Sequence, residues 1–534
     1  MKLSFNHLVF ISLLFLVASC ARRGSITGGP KDTLAPVLKN SIPKNFSTQF
    51  TGKEIQLTFD EYVKLKNVNK QLVISPPLEK EPEILPFTPS KTISIRFKED
   101  LKPNTTYSLN FGQSIEDNNE SNSLQNFKYV FSTGSTIDSL KLKVKLADAL
   151  EQKTPTYVSV MLYEIDADYS DSIIYKKTPK YLANSLDTLT TVELTNLKEG
   201  KYRLIAIKDE NRNNKFDPKT EKIAFETNVI NIPSNDLPKL NLFKEVLPFA
   251  VQNTNQSSGN KIIVGYQGDA KQVKITAQNN QKEIPIKVSK FPQKDSLQVW
   301  FKANKNDSLT LEIAQNKYLK KYSFKIKDQK QDTLAVRSDI NGVLPFRETF
   351  SVVSSTPLKN WDESKILFTK SDKSVVKYKL DYDEEHQKLN FLFDKEANQG
   401  YTITMLPKAL TDYFDKPNDS LTYKFKVPNS TDFGNLKVIL ENVKHYPVIV
   451  QLTDKQGKVL AEEFAEKSNQ VNFEFLQPNK FTMRVIYDDN KNKKWDAGNY
   501  LQKTQSEEVL YFPKELDVRA NWDVEQVFDL KNTN

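Results

Sequence analysis

A single cysteine, Cys20, stands in 534 residues. With no second cysteine there can be no internal disulfide, so the folded parts must rest on hydrophobic cores alone. Histidine is nearly as scarce, with only His7, His386 and His445. Neither of the last two has another His or Cys near it in sequence, so nothing suggests a metal cluster. There is no G-x-S-x-G, H-E-x-x-H or phosphate-cradling glycine loop. After Cys20 no apolar run reaches the roughly 18 residues that a membrane-spanning helix needs. An excess of one charge sign is also missing. Lys and Arg total 76 against 67 Asp and Glu, a net charge of +9, and the signs alternate along most segments. Such faces are solvated; a nucleic-acid groove would concentrate its basic residues. Acidic pairs such as Asp60-Glu61 and Asp488-Asp489 could do acid/base work, yet neighbours on a strand point to opposite faces and rarely converge. No catalytic residue and no cofactor are assigned, and the chain reads as a non-enzyme.

What is present begins at the N-terminus. Lys2 precedes the apolar run LVFISLLFLVASC, Leu8 to Cys20, which ends in small residues and is followed at once by polar Ala21-Arg22-Arg23-Gly24. A positive start, a short apolar stretch and small residues make a secretory signal. Its tail, Val17-Ala18-Ser19-Cys20, resembles the bacterial lipobox. That resemblance implies a diacylglycerol on the Cys20 thiol, removal of residues 1–19 and a mature chain starting at Cys20. More than one acyl chain holds firmly where a single chain would be reversible, each buried CH2 contributing about 0.8 kcal/mol. Residues 20–34 lack periodicity and read as a lipidated tether, about 45 Å long if fully stretched at ~3.3 Å per residue. Ala21 and Arg22 lack the acidic residues that, in lipoproteins this one resembles, hold the protein at the inner membrane or send it to the cell surface. The expected location is the outer membrane, inner leaflet favoured.

Beyond the tether, period-two alternation takes over. Ile55, Leu57 and Phe59 share one face; Ile93, Ile95 and Phe97 share another; Tyr107, Leu109, Phe111 and Phe127, Tyr129, Phe131 follow. Prolines and Asn/Asp fall between the segments, and glycine is sparse at 15 residues. Asn and Asp build turns through their own side-chain hydrogen bonds and tolerate positive φ. The pattern predicts half-buried antiparallel strands and an all-β chain of tandem β-sandwich domains. Ala35-Pro36, LTFDEYV at 57–63, VISPP at 73–77, LKPNTTYSL at 101–109, IEDNNESNSL at 115–124 and FKYVFSTG at 127–134 resemble, in that order, the SbsA-type bacterial Ig-like domain. This resemblance covers most of residues 35–134 and implies an extracellular structural or adhesive module with no known chemistry.

A second motif occurs twice. YRLIAI, 202–207, leads into DENRNNKFDPKTE, 209–221; FTMRVI, 481–486, leads into DDNKNKKWDAGN, 488–499. Asp209, Asn211, Asn213, Phe216 and Asp217 thus recur as Asp488, Asn490, Asn492, Trp495 and Asp496, every pair at the 279-residue offset that separates 209 from 488, as are Leu197 and Leu476. A gapless internal repeat signals duplicated modules. Both resemble prealbumin-type β-sandwiches, the carboxypeptidase-regulatory-like and Cna-B-like modules of bacterial surface proteins. Two further alternating segments lie between them. The pair YTITML, 401–406, and LTYKFKV, 421–427, with Asp412 between, echoes YSLNF, Asp117 and FKYVF. The predicted domains are therefore 35–135 (Ig-like), 136–240 (prealbumin-like), 241–333 and 334–429 (Ig-like) and 430–534 (prealbumin-like).

Asp-x-Asn-x-Asn-x-x-x-Asp places oxygens where a loop could turn them toward calcium, which makes Asp209, Asn211, Asn213, Asp217 and Asp488, Asn490, Asn492, Asp496 the metal candidates. Against this, position 6 is Asn214 or Lys493 instead of Gly, and position 12 is Thr220 or Asn499 instead of Glu. Lys215, Lys491, Lys493 and Lys494 add repulsion. The favoured reading is an Asx-rich hairpin connection with Phe216 or Trp495 folded back on the sandwich.

Five domains of roughly 35 Å stacked end to end would span on the order of 150 Å. With the lipid at the N-terminus, the final module would then be the free tip. Its aromatics Tyr487, Trp495, Tyr500 and Trp522 form a candidate partner surface, and residues 430–534 are expected to carry partner binding. The leading expectation is a cell-envelope lipoprotein that scaffolds or adheres. It would be held to the membrane by its lipid and partnered by an unknown envelope protein or glycan, with no nucleic acid. The alternative is a glycan-binding accessory lipoprotein using Trp361, Trp495, Tyr500, Tyr511 and Trp522 to stack on sugars.

Overall fold

A computed structural model describes residues 31–186, 189–340 and 342–531. The signal segment and Cys20 lie outside the described residues. Among the described residues, no helix is long and apolar enough to cross a membrane. The chain is all-β, a series of β-sandwich domains. It divides into two compact units, one ending at Ser139 and the other beginning at Leu140.

In the first unit the alternation becomes one face of a sandwich. Leu38–Ile42, Glu54–Leu65, Ser90–Arg96 and Glu83–Leu85 form one sheet in that order, with Ile115–Asp117 added to Glu54–Leu65; Val73–Ser75, Thr106–Asn110 and Lys128–Ser132 form the other. Ile55, Leu57, Phe59, Ile93, Ile95, Tyr107, Leu109, Phe111, Tyr129 and Phe131 meet in the core. The long strand changes partners where its alternation falters. Up to Thr58 it pairs in register with Ser90–Arg96; after a bulge Val63 sits between Ser90 and Asp117, and Lys64 and Leu65 continue on Ile115–Asp117.

The duplication extends well past the loop that reveals it. In the earlier copy, Thr191–Leu197, Leu140–Asp148 and Lys239–Leu242 form one sheet, the last strand parallel; the other sheet runs Tyr181–Asn184, Ser159–Glu164, Gly200–Ile207, Ile223–Phe225, with Ile230–Ile232 also on Gly200–Ile207. The later copy repeats both sheets strand for strand. Gln470–Leu476, Gly434–Glu441 and Asp523–Asp529 form the first, again with a parallel last strand. Val459–Ala465, Val448–Thr453, Asn479–Tyr487 and Val509–Tyr511 form the second, with Leu516–Val518 also on Asn479–Tyr487. Each copy encloses its own core, around Val160, Leu162 and Leu204 in one and Val450, Leu452 and Met483 in the other.

Between the copies lie two more sandwiches with cores around Ile262, Val299 and Leu311, and around Phe350, Phe368 and Tyr401. They meet each other through buried Trp300 beside Phe414 (6.3 Å), the Tyr413 hydroxyl donating to the Pro285 carbonyl (2.8 Å) and three Lys–carboxylate pairs, Lys287–Glu384, Lys290–Glu385 and Lys302–Asp415. The later of them meets the second copy of the repeat through Phe346, stacked 4.3 Å from Phe475 and edge-on to Phe433, and through Arg347 paired with Glu463.

The second copy does not end as a free tip. It folds back onto the first copy, which overturns the expectation of modules stacked end to end. The physical reason is a pair of unequal loops. Residues 165–180 of the first copy correspond to the short turn 454–458 of the second, while the second copy carries extra chain after Asp496. Each copy's longer loop lands on the other copy.

Candidate functional site

Two features carry the polar chemistry of the second unit: the paired Asn/Asp loops and the joint they lead into. Both loops are built the same way. Asp209 accepts from the backbone N–H of Asn213 (3.2 Å) and Asn214 (2.8 Å), and Asp488 accepts from Asn492 (3.0 Å) and Lys493 (2.9 Å). Asn213 and Asn492 each accept from the amide two residues on. Arg212 and Asn214, like Lys491 and Lys493, take the left-handed conformation, with φ of 59°, 55°, 61° and 62°. Thus Asn214 and Lys493 fill the position that calcium loops give to glycine, and the turn forms without it.

One residue of this device escaped the sequence reading. Glu221 accepts from the amides of Glu210 (3.1 Å) and Asp217 (2.8 Å); Glu507 accepts from those of Asp489 (2.8 Å) and Asp496 (2.9 Å). Glu507 follows Glu221 by 286 residues instead of 279, because seven residues are inserted after Asp496. A gap at that point of the repeat was the only available signal. Burial pushes both glutamates above the ordinary carboxyl range, with Asp209 beside Glu221, and Asp496 and Asp488 beside Glu507, adding to the effect. Burial raises Asp209 likewise, against its backbone hydrogen bonds.

Asp217 accepts from Lys219 N–H, while the Oδ2 of Asp496 takes the side-chain amides of both Asn490 (2.5 Å) and Asn492 (2.6 Å). Phe216 is buried against Tyr175, and the Trp495 indole N–H donates to the Glu507 carbonyl (3.2 Å). Among the described residues no cluster of three His, Cys, Asp or Glu is arranged to hold a metal ion. With so many loop oxygens already engaged, millimolar calcium is expected to raise the melting temperature by less than about 4 °C, a change worth about 1 kcal/mol for a domain of this size. Differential scanning calorimetry with calcium and with chelator checks this. A larger shift would make the loops cation sites.

The inserted chain after Asp496 forms the joint. Tyr500 is fully buried, its ring edge-on to Phe225 (5.2 Å) and its backbone N–H donating to Glu245 Oε1 (2.6 Å). Its hydroxyl lies 3.4 Å from both Tyr169 and Asp171, which belong to the longer loop of the first copy. Lys503 pairs with Asp171 (2.6 Å) and sits 4.4 Å over the Tyr500 ring. Arg203 donates to Tyr169 and to the carbonyls of Glu226 and Thr227. Gln505 reaches the Phe225 carbonyl, and Arg484 and Tyr511 both donate to the Leu150 carbonyl. Gly498 is required here: a Cβ would stand 2.6 Å from the Phe243 ring and 2.5 Å from the Thr504 carbonyl.

This geometry corrects half of the candidate partner surface. Tyr500 is locked in the joint, and Tyr487 is buried in its own module's core, its hydroxyl near the amide of Lys444. Trp495 is half-buried, whereas Trp522 is 49% exposed with Arg519 stacked over it. Of the aromatics considered for sugar stacking, Trp361 packs beside Tyr382 and Tyr511 is committed to Leu150. His386 contacts Asp383 (2.7 Å) and His445 contacts Asp489 (3.4 Å), both at the surface.

Residues 32–133 match the bacterial Ig-like domain family. No curated protein sequence matches the chain. Among solved structures the chain is similar to domains 1–6 of the surface layer protein SbsC, at 11% identity over 91% of this chain and 67% of that one, with a TM-score of 0.16. It is also similar to BcpA, the major pilin subunit of Bacillus cereus, at 8% identity over 73% and 99% of the two chains, with a TM-score of 0.14.

Proposed function

We propose that this protein is a non-enzymatic lipoprotein of the bacterial cell envelope, anchored through Cys20, whose β-sandwich domains act as a scaffold for other envelope components. The observation that carries this reading is the joint between the repeat copies. Hydrophobic rings, a buried carboxylate and an ion pair are spent on fixing one domain against another, which holds surfaces at set spacings before any partner arrives. Preordered surfaces lose less entropy on binding. The match of residues 32–133 to the bacterial Ig-like domain family supports an exported module, and the lipobox-like Val17-Ala18-Ser19-Cys20 supports the anchor.

Two measurements test the two halves of the reading. Cys20→Ala is expected to abolish incorporation of labelled palmitate and leave an unprocessed or soluble protein; label retained on the variant would sink the anchor. Crosslinking in living cells is expected to recover one envelope protein in fixed stoichiometry. Recovery of polysaccharide instead would move the assignment to glycan binding, and recovery of nothing above background would remove the scaffold role.

A further inference from the structure

The fourth sandwich carries an open groove of about 500 Å³ at one end of a sheet, lined by Lys377, Tyr378, Lys379, Phe393, Asp394 and Lys395 among others. Its size falls within the range of small-ligand sites. Its lining includes three lysines and one carboxylate.

Two of these lysines, Lys377 and Lys379, are exposed and form no ion pair among the described residues. The third is different. Lys395 is half-buried, and its Nζ donates to the carbonyls of Phe346 (2.6 Å) and Glu348 (2.5 Å). Two of three ammonium protons are thereby used on neutral acceptors, and no carboxylate pairs with the charge among the described residues. Burial pulls this ammonium below the usual lysine range, with only Glu348 acting against it. A partly desolvated cation without a counter-ion carries some cost, and an anion entering the groove would relieve it.

The apolar part of the lining is aromatic. Tyr378 and Phe393 are half-buried, their inner sides packed on Phe368 at 5.6 and 4.8 Å. Further ring contacts to Phe391 and Tyr401 hold them in place. Fixed rings next to cationic side chains suit a ligand with a flat C–H face and a negative group on its edge.

We propose that this groove binds an acidic sugar, its ring face against Tyr378 and Phe393 and its carboxylate or phosphate against Lys377, Lys379 and Lys395. The site is independent of the scaffold reading and of the aromatics considered for sugar stacking from sequence. It uses none of them.

The test titrates the full chain with glucuronate, glucose 6-phosphate and neutral glucose, followed by saturation-transfer NMR. At least one anion is expected to bind roughly tenfold more tightly than glucose, as one or two charge-assisted hydrogen bonds allow. Which anion prevails identifies the group as carboxylate or phosphate. The double variant Lys377→Ala/Lys379→Ala, at exposed positions, should keep the melting temperature and bring anion binding down to the glucose level. Phe393→Leu, which keeps the site apolar but removes the ring, should weaken all three sugars together. If glucose binds as well as the anions, if the double variant binds unchanged, or if none of the three binds, the proposal is overturned.

Discussion

Replacing Tyr500 by alanine is expected to undock the two repeat copies while leaving each sandwich folded. The side chain is fully buried, yet it belongs to neither core; it fills the space between Phe225, Glu245 and the Tyr169–Asp171 loop. Truncating a buried aromatic costs about 3–5 kcal/mol, and here that loss falls on the joint. Tyr500→Phe keeps the ring and gives up only two long hydroxyl contacts of 3.4 Å, so it should cost less than about 1 kcal/mol. Hydrogen exchange reads the difference directly: amides near 497–506 and 166–175 should exchange much faster in the alanine variant and nearly as before in the phenylalanine variant. Equal protection in both would show that the joint is held elsewhere.

The second large effect runs toward stabilisation. Glu245 is 9% exposed, and burial pushes its carboxyl above the ordinary range, partly offset by the Tyr500 N–H. A raised folded pKa means that the folded chain holds this proton at pH values where the unfolded chain has released it. Stability therefore falls as pH rises from the unfolded pKa through the folded one, and stays lower above it. Glu245→Gln keeps the Oε1 acceptor and removes the charge. At neutral pH it should stabilise the joint by on the order of 1 kcal/mol once the placing of its new N–H2 is deducted. Below about pH 4 the gain should vanish, because the native side chain is then neutral as well. Asp171 works in the opposite sense. Burial raises its carboxyl, but hydrogen bonds from Lys503 and Tyr169 and the nearby charges outweigh this and hold it low, so its contribution is lost as pH falls through its folded pKa. Only the difference between variant and unaltered protein, melted at pH 7 and at pH 4, isolates Glu245. An unchanged or lower melting temperature at pH 7 would show that its charge carries no cost.

The sequence made the sandwiches visible because a strand with one wet face writes its burial into alternate letters. Ile55, Leu57 and Phe59 are each buried within 2% of completely. The repeat was visible for a similar reason: its loop is made of side chains that cap their own neighbours, so local sequence determines local shape. Tyr500 belongs to another class. Its ring is held by Phe225 and its hydroxyl by Tyr169 and Asp171, residues some three hundred positions away, and nothing nearby separates a joint aromatic from an exposed one. Glu507 was hidden because an insertion moved it out of register. The groove around Lys395 was hidden for a different reason: Lys377-Tyr378-Lys379 and Phe393-Asp394-Lys395 are ordinary mixed runs, and only the pairing of Lys379 with Leu392 brings them side by side.

The reciprocal loops also impose an order in time. A chain made from its N-terminus completes the first repeat copy long before residues 430–531 exist, and domains generally fold as units in that sequence. Phe225 and Phe243, each no more than 2% exposed in the finished protein, meet the late insertion at Tyr500 and Gly498. Until then these two rings lack the cover that Tyr500 and Gly498 give them, and an emerging chain carries an apolar patch whose native partner is made about 270 residues later. The joint closes only after residues 497–511 have been made.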